Sequence, residues 1–418
     1  MIHAAQLGHI ENVIGQILSF DRPADAVLSN YFHQNNKLGA QDRHLIAETA
    51  FACLRRLSQL RALIEPDRIT ARRLALATLA RVRGLNLKEF GGCLKNSESE
   101  WLSTLKARTL PDDLAIQAEL PQWVIDRLED ASPEAVMALG RAMMQSAPLD
   151  LRVNTLKMKR DEALCRLDEA GIKACATPYS PIGIRVEGKP ALNRLELFKS
   201  GAIEVQDEGS QLLGLLVGAR RGEMVADFCA GAGGKTLLLG AQMASTGRLY
   251  AFDISERRLA NLKPRLARSG LSNVHPQLIA NENDARIKRL AGKIDRVLVD
   301  APCSGLGTLR RNPDLKFRQS PETVAALNQQ QLSILQSASR LVRDGGRLVY
   351  ATCSLLPQEN QQIVDAFLST HPEYRIVPVG TALEELKIPL AMGDALAINP
   401  ARDNMDGFFA VILAKDGK

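Results

Sequence analysis

The chain has 418 residues, 45% of them apolar and 24% charged, which excludes a disordered polymer and implies two or three domains, since single cores seldom grow past roughly 250 residues. No run approaches the roughly 20 apolar residues of a membrane span, and Met1 to Val13 carries Glu11 and no basic segment ahead of an apolar one, so a cytoplasmic protein is expected. Seven cysteines without a C-x-x-C pair and six scattered histidines argue against a disulfide framework or a bound metal, and 53 Lys and Arg against 47 Asp and Glu give +6, which permits a polyanionic partner.

From about residue 9 to 145 the apolar period is helical. In Gln41 to Ile64 the residues Ile46, Ala50, Cys53, Leu57, Leu60 and Ile64 recur at three and four, leaving Glu48, Arg55 and Gln59 on the opposite side. Thr70 to Arg83, Pro121 to Asp130 and Pro133 to Met144 continue this all-helical domain, taken as residues 1 to 145. Over 146 to 205 the pattern becomes a small α+β segment: strands at Leu151 to Asn154, Ile184 to Val186 and Ala202 to Val205, and a helix from Lys159 to Ala170 stopped by Gly171. From 206 to 418 buried-type strands alternate with helices, at Met224 to Phe228, Arg248 to Phe252, Asn273 to Ile279, Arg296 to Val299, Arg347 to Tyr350 and Phe408 to Leu413. That alternation predicts an α/β domain with a mostly parallel sheet covered on both faces.

Three segments carry chemistry. Asp227-Phe228-Cys229-Ala230-Gly231-Ala232-Gly233-Gly234-Lys235-Thr236 is a strand end, a glycine-rich turn and a helix start, where backbone N–H groups can meet a ligand. A Walker A loop would need glycine at Cys229, and a dinucleotide fingerprint would need a third glycine at Thr236, so both fit poorly. An S-adenosylmethionine site is the third reading, supported by Asp253 at the end of the next strand, placed to accept from a ribose diol; that acid alone does not separate it from a nicotinamide cofactor, and a helix N-cap is the competing role for Asp253. The other two segments, Asp300-Ala301-Pro302-Cys303-Ser304-Gly305 and Ala351-Thr352-Cys353-Ser354, each follow an apolar strand, which puts two cysteines at the strand ends where open α/β sheets bind ligands.

These motifs resemble the Sun/Fmu family of RNA cytosine-5 methyltransferases, nearest its RsmB-like ribosomal RNA type. The likeness includes Leu151-Arg152-Val153-Asn154, Val205-Gln206-Asp207-Glu208-Gly209-Ser210-Gln211, Arg311-Asn312-Pro313-Asp314, Pro357-Gln358-Glu359-Asn360 and Asp406-Gly407-Phe408-Phe409, and the helical front end is similar to a NusB-type RNA-binding module. It implies a Rossmann-like class I methyltransferase domain after an RRM-like α+β segment. One departure concerns the turn, which in the family reads C-A-A-P-G-G-K. Here Gly231 and Ala232 replace Ala and Pro, so a fixed φ is lost.

The resemblance further implies that Cys353 adds to C6 of cytosine, which makes C5 nucleophilic enough to take a methyl group, and that Cys303 releases the product. Asp300 would hold the N3/N4 edge of the base, with Lys235 beside it. Asp253 would hold the ribose of S-adenosylmethionine, Asp284 its adenine, and the turn Asp227, Cys229, Ala230, Gly231, Ala232, Gly233, Gly234 and Lys235 its methionine end, with Arg258 and Asp300 completing the cofactor set. The expected partner is single-stranded or melted RNA, ribosomal rather than transfer RNA, bound by a monomer without membrane or metal. Nine Lys and Arg against three Asp and Glu between Arg286 and Arg318 suit phosphate contacts, Arg310 and Arg311 foremost. A nicotinamide oxidoreductase would share the turn but leave both cysteines without a role; an idle RNA-binding assembly factor would not need them.

Overall fold

The protein, described here by a computed structural model for residues 1–128 and 131–417, folds as two compact units. One comprises residues 1–146 together with 308–321; the other comprises 147–307 and the chain from 322 onward. Among the described residues no helix is long and apolar enough to cross a membrane.

The first unit is helical. Helices Ala4–Ile17, Ala24–Gln34, Ala40–Arg55, Leu57–Ile64 and Ala71–Ala77 supply most of a core that contains Leu7, Ile10, Ile46, Cys53, Leu60 and Ile64. The predicted apolar stripe is buried as expected, but its helix is broken at Arg56, which adopts φ −125°, ψ 26°. The reason is tertiary: the carboxylate of Glu119 accepts from the backbone N of Gln59 at 2.7 Å and so caps a second helix start. Gln59 is accordingly buried rather than on the open side, donating to Gln117 O at 2.9 Å. Pro121 precedes a short helix, Gln122–Ile125, and the Glu129-Asp130 end of the expected helix lies outside the described residues.

The segment 308–321 belongs to this helical unit although it lies between two of the chemical motifs. Lys316 is fully buried and bonds Glu119 Oε2 at 2.6 Å, while the Phe20 and Phe317 rings lie 5.0 Å apart. Burial acts to lower the Lys316 ammonium, and Glu119 opposes it. Arg310 is 3% exposed, so it cannot serve as the phosphate contact expected of it. Arg296 and Lys316 of the same basic run are also buried, each against a glutamate, because packing and not charge density governs their placement.

In the second unit, strands β1 (Leu149–Val153), β2 (Ala174–Ala176), β3 (Gly183–Val186) and β4 (Ile203–Val205) form an antiparallel sheet in the order β2-β3-β1-β4, with helix Arg160–Glu169 packed on it. A larger sheet follows from β5 (Met224–Asp227), β6 (Arg248–Asp253), β7 (Val274–Leu278), β8 (Ile294–Asp300), β9 (Val342–Thr352), β10 (Tyr374–Val377), β11 (Ala395–Ile398) and β12 (Phe408–Lys415). Its order is β10-β12-β9-β8-β5-β6-β7, with β11 also on β12; β5 to β9 are parallel and the rest antiparallel. Val297, Val299 and Tyr350 enter one core while Leu298, Val349 and Ala351 enter the other, which is why these strands read as unbroken apolar runs. The chain steps outward from β5 to β6 and β7 on one side and returns through β8 and β9 on the other. The carboxyl ends of β5 and β8 therefore flank a topological switch point, where a ligand crevice is expected.

Candidate active site

A cavity of about 660 Å³ opens at that switch point, lined by the loops that leave β4, β5, β6, β7, β8 and β9. The glycine-rich turn forms one wall. Gly231 and Gly233 have φ +56° and +83°, a left-handed backbone that glycine adopts without a Cβ penalty. At Gly233 a Cβ would also stand 2.1 Å from Leu262 Cδ1, whereas at Gly231 it would meet nothing within 4 Å. Ala232 lacks a proline ring, yet its carbonyl accepts from Arg265 Nη1 at 2.6 Å, and the Gly234 carbonyl accepts from Arg152 Nη1 at 2.5 Å. Arg265 is paired with buried Glu204 at 3.0 Å, and Arg152 is buried, its pKa lowered by burial to about 10, so Arg152 stays cationic at neutral pH. Two side chains from outside the turn thus bond carbonyls that its own backbone path presents.

Acids mark the strand ends around this wall. Asp227 accepts from Thr236 Oγ1 at 2.6 Å through Oδ2, its Oδ1 is buried without a hydrogen-bond partner, and burial raises its pKa to about 7. Asp253 accepts from Gly231 N at 2.8 Å and Ser255 N at 2.7 Å; Ser255 caps the following helix, Glu256–Ser269, so Asp253 is not that helix's N-cap. Asp300 accepts from Lys235 Nζ at 2.7 Å. Burial works to lower the Lys235 ammonium, and the Asp300 carboxylate outweighs it, leaving the lysine above its usual value. The Phe408 ring lies 5.7 Å from the same nitrogen.

Cys303 and Cys353 meet at the other wall with their sulfurs 3.4 Å apart. The Cys303 thiol is pushed well above its usual value, first by its hydrogen bond with Cys353 and then by burial. Gly307 N donates to Cys353 O at 2.9 Å and Gly407 N to Gly307 O at 2.8 Å, so the Asp406-Gly407-Phe408-Phe409 segment braces the cysteine loops. A Cβ on Gly307 would stand 2.1 Å from Gly407 O, which is why the approach needs glycine. Cys229 lines the cavity too, and burial raises its thiol well above the usual range.

Of the residues singled out in the sequence, Asp227, Cys229, Ala230, Gly231, Ala232, Gly234, Lys235, Asp253, Arg258, Asp300, Cys303 and Cys353 all line this one cavity. Gly233 acts behind the wall, through its contact with Leu262. Asp284 does not line it. Its two oxygens accept from Ala280 N at 3.0 Å and Arg286 N at 2.8 Å, capping the short helix Ala285–Lys288, while Ile279, Ala280, Asn281 and Glu282 face the cavity. An Asx cap ahead of Ala285-Arg286-Ile287-Lys288 is the signal that could have placed Asp284 there. Gln206, Ser210, Arg265 and Ile334 line the cavity without having been expected to; Gln206 and Ser210 stand in a segment that carries the family likeness, whereas Arg265 and Ile334 had no signal beyond the helices that carry them. Among the described residues no group of His, Cys, Asp and Glu is placed to hold a metal.

A cofactor with an adenosine, a sulfonium and an amino acid fits what is present. Asp253 offers a carboxylate at a strand end, Asp227 an unpartnered oxygen where a cation could sit, and Gly231 open space above the turn.

Comparison with known proteins agrees with this geometry. The family model for 16S rRNA methyltransferase RsmB/F matches residues 215–414, and that for the RsmF/B-like ferredoxin-like domain matches residues 120–193. The chain is 35% identical over 307 residues to a protein named probable ribosomal RNA small subunit methyltransferase B from Synechocystis, covering 72% of this chain and 68% of that one. It is 35% identical over 298 residues to ribosomal RNA small subunit methyltransferase B from Klebsiella pneumoniae, covering 71% of this chain and 66% of that one. The crystal structure of PH0851, 24% identical, shares the fold with a TM-score of 0.83 over 99% of both chains. By these matches, the chain belongs to the 16S rRNA methyltransferase RsmB/F family.

Proposed function

We propose that the protein is an S-adenosylmethionine-dependent RNA cytosine-5 methyltransferase acting on ribosomal RNA through a covalent bond between Cys353 and C6 of the target base. The observation that carries this reading is the pair of sulfurs 3.4 Å apart in the same cavity as the glycine-rich turn and Asp253. A hydride-transfer enzyme would have no use for two thiols there, and an idle assembly factor would have no reason to hold them so close.

The division of labour follows the family resemblance, which gives the attack to Cys353 and a part in product release to Cys303; the two sulfurs lie 3.4 Å apart, and the Cys303 thiol is raised by its hydrogen bond with Cys353 and by burial. Cys353 attacks C6; electron density moves through the ring to C5 and N3. Asp300 binds the N3/N4 edge, and the Lys235 ammonium bonded to it supplies the proton that offsets the charge developing at N3. The bound cofactor supplies an electrophilic methyl group on sulfur, which C5 takes. A base then takes the C5 proton, the freed electron pair re-forms the C5–C6 double bond, and Cys353 leaves C6 as a thiolate; the resemblance gives Cys303 its part in this release.

The cofactor would be held by Asp253 at its ribose and by the turn and Asp227 at its methionine end. The base must leave its stack to enter, so melted or single-stranded RNA is the substrate, and the helical unit, similar to a NusB-type module, would bring it in. The test is bisulfite sequencing of 16S and transfer RNA treated with the protein and S-adenosylmethionine. One or a few protected cytosines in 16S RNA are expected; protection confined to transfer RNA would reassign the substrate, and none in either would refute the activity.

A further inference from the structure

Pro357-Gln358-Glu359-Asn360 has no part in the chemistry above, and Glu359 does not line the cavity. Its side chain is nevertheless fully buried beneath both cysteine loops. Oε1 accepts from Ser304 N at 2.8 Å and Gln331 Nε2 at 3.0 Å, and Oε2 accepts from the hydroxyls of Ser304 and Ser354. Ser304 follows Cys303 and Ser354 follows Cys353, so a single carboxylate ties the two loops together. Each oxygen has two donors, which is what a buried carboxylate needs to offset its desolvation.

The surrounding bonds hold Glu359 itself in place. Tyr350 OH donates to Glu359 O at 2.7 Å, Asn360 Nδ2 donates to Ser354 O at 3.1 Å, and Gln331 Nε2 also donates to Pro302 O at 2.9 Å, one residue before Cys303. We propose that Glu359 is the positioning residue that fixes the separation and aim of the Cys303 and Cys353 sulfurs. Its value for catalysis rests on reading those two thiols as the reacting pair; its geometric role does not. The donors also dictate how substitutions behave. Those on Oε1 are N–H groups that cannot reverse, whereas the two hydroxyls on Oε2 can turn round and accept. Glu359→Gln can therefore keep every bond, and Glu359→Ala cannot.

The test reads the sulfur geometry and the reaction separately. Glutathione disulfide takes two electrons and two protons from the thiols, forming a Cys303–Cys353 disulfide and two glutathione thiols, and the cross-linked peptide is counted by mass spectrometry against time. Glu359→Ala is expected to close this disulfide about tenfold more slowly than wild type, because the loops are no longer held together, with Glu359→Gln within about threefold. On RNA, Glu359→Ala should lose about 100-fold in kcat while the KM for S-adenosylmethionine stays within about threefold, and Glu359→Gln should recover most of the loss. Wild-type disulfide closure in Glu359→Ala would overturn the proposal. Should Glu359→Ala lose its cooperative unfolding transition, the Ser304→Ala, Ser354→Ala double variant takes its place, with slower closure expected and an unchanged rate overturning it. If the wild type closed the disulfide yet methylated no RNA, the proposed activity would fall while the closure rates still decided the role of Glu359.

Discussion

The two walls of the cavity are held by different means. At the glycine-rich wall the motif residues set the geometry themselves: Gly231 and Gly233 take a left-handed backbone, and Gly233 N bonds Ala230 O at 2.9 Å. At the thiol wall the motifs supply the sulfurs, but their spacing is set by Glu359 and Gln331, which stand outside both Cys-Ser segments. The difference teaches that a turn which depends on backbone torsions can be specified locally, whereas two side chains brought together from different strands need a third element to hold them.

Cys353→Ala tests the chemical side of the contrast and should have the largest effect. Methyl transfer should fall by at least about 1000-fold, with cofactor affinity near normal because the sulfur lies at the far wall. Turnover within about tenfold of wild type would show that Cys353 is not the nucleophile.

Next in size is a pH effect at the cofactor wall. Asp227 has a folded pKa of about 7 against 3.8 for a free aspartate. Between those values the folded protein keeps a proton that the unfolded chain has lost, so stability should fall as pH rises from 3.8 to 7. The loss from this one group is up to about 4 kcal/mol, and Asp227→Asn should flatten it. Urea unfolding of both proteins across that range decides the point; equal slopes would mean that Asp227 does not titrate there.

Gly233→Ala should cost about 2 to 4 kcal/mol, from left-handed strain and the clash with Leu262, whereas Gly231→Ala should cost only about 1 kcal/mol since its Cβ meets open space. Equal losses in urea unfolding would contradict the packing given for Gly233. The smallest effects separate the two acids that sequence placed in one set. Asp253→Ala should weaken S-adenosylmethionine binding about 10- to 100-fold, while Asp284→Ala should leave binding unchanged and lower the melting temperature slightly. Calorimetric titration showing a large loss for Asp284→Ala would restore it to the cofactor site.

The chain order of strands and the chemical residues were legible because both are written in short runs: unbroken apolar strands that end in Asp227, Asp253 and Asp300, and a cysteine within three residues of the end of β8 and of β9. The strands Ala174–Ala176, Tyr374–Val377 and Ala395–Ile398 were not, being short and without a clean alternation. The place of Asp284 was not legible, because an acid after a parallel strand can equally bind a ligand or cap a helix, and in the structure it accepts from Ala280 N and Arg286 N outside the cavity lining.

By itself, then, the sequence determined the residue types that reach the switch point and the backbone torsions of the turn, since each depends on neighbours a few positions away. The tertiary structure decided what depends on distant partners. Arg265 came to hold Ala232; Glu119 broke a continuous helical stripe and drew Lys316, 197 residues away, into the helical unit. Arg310 went inside for the same reason, as the loop that carries it packs with helices encoded far earlier. Hydrophobic periodicity records which face of an element is buried, but not against which element it is buried.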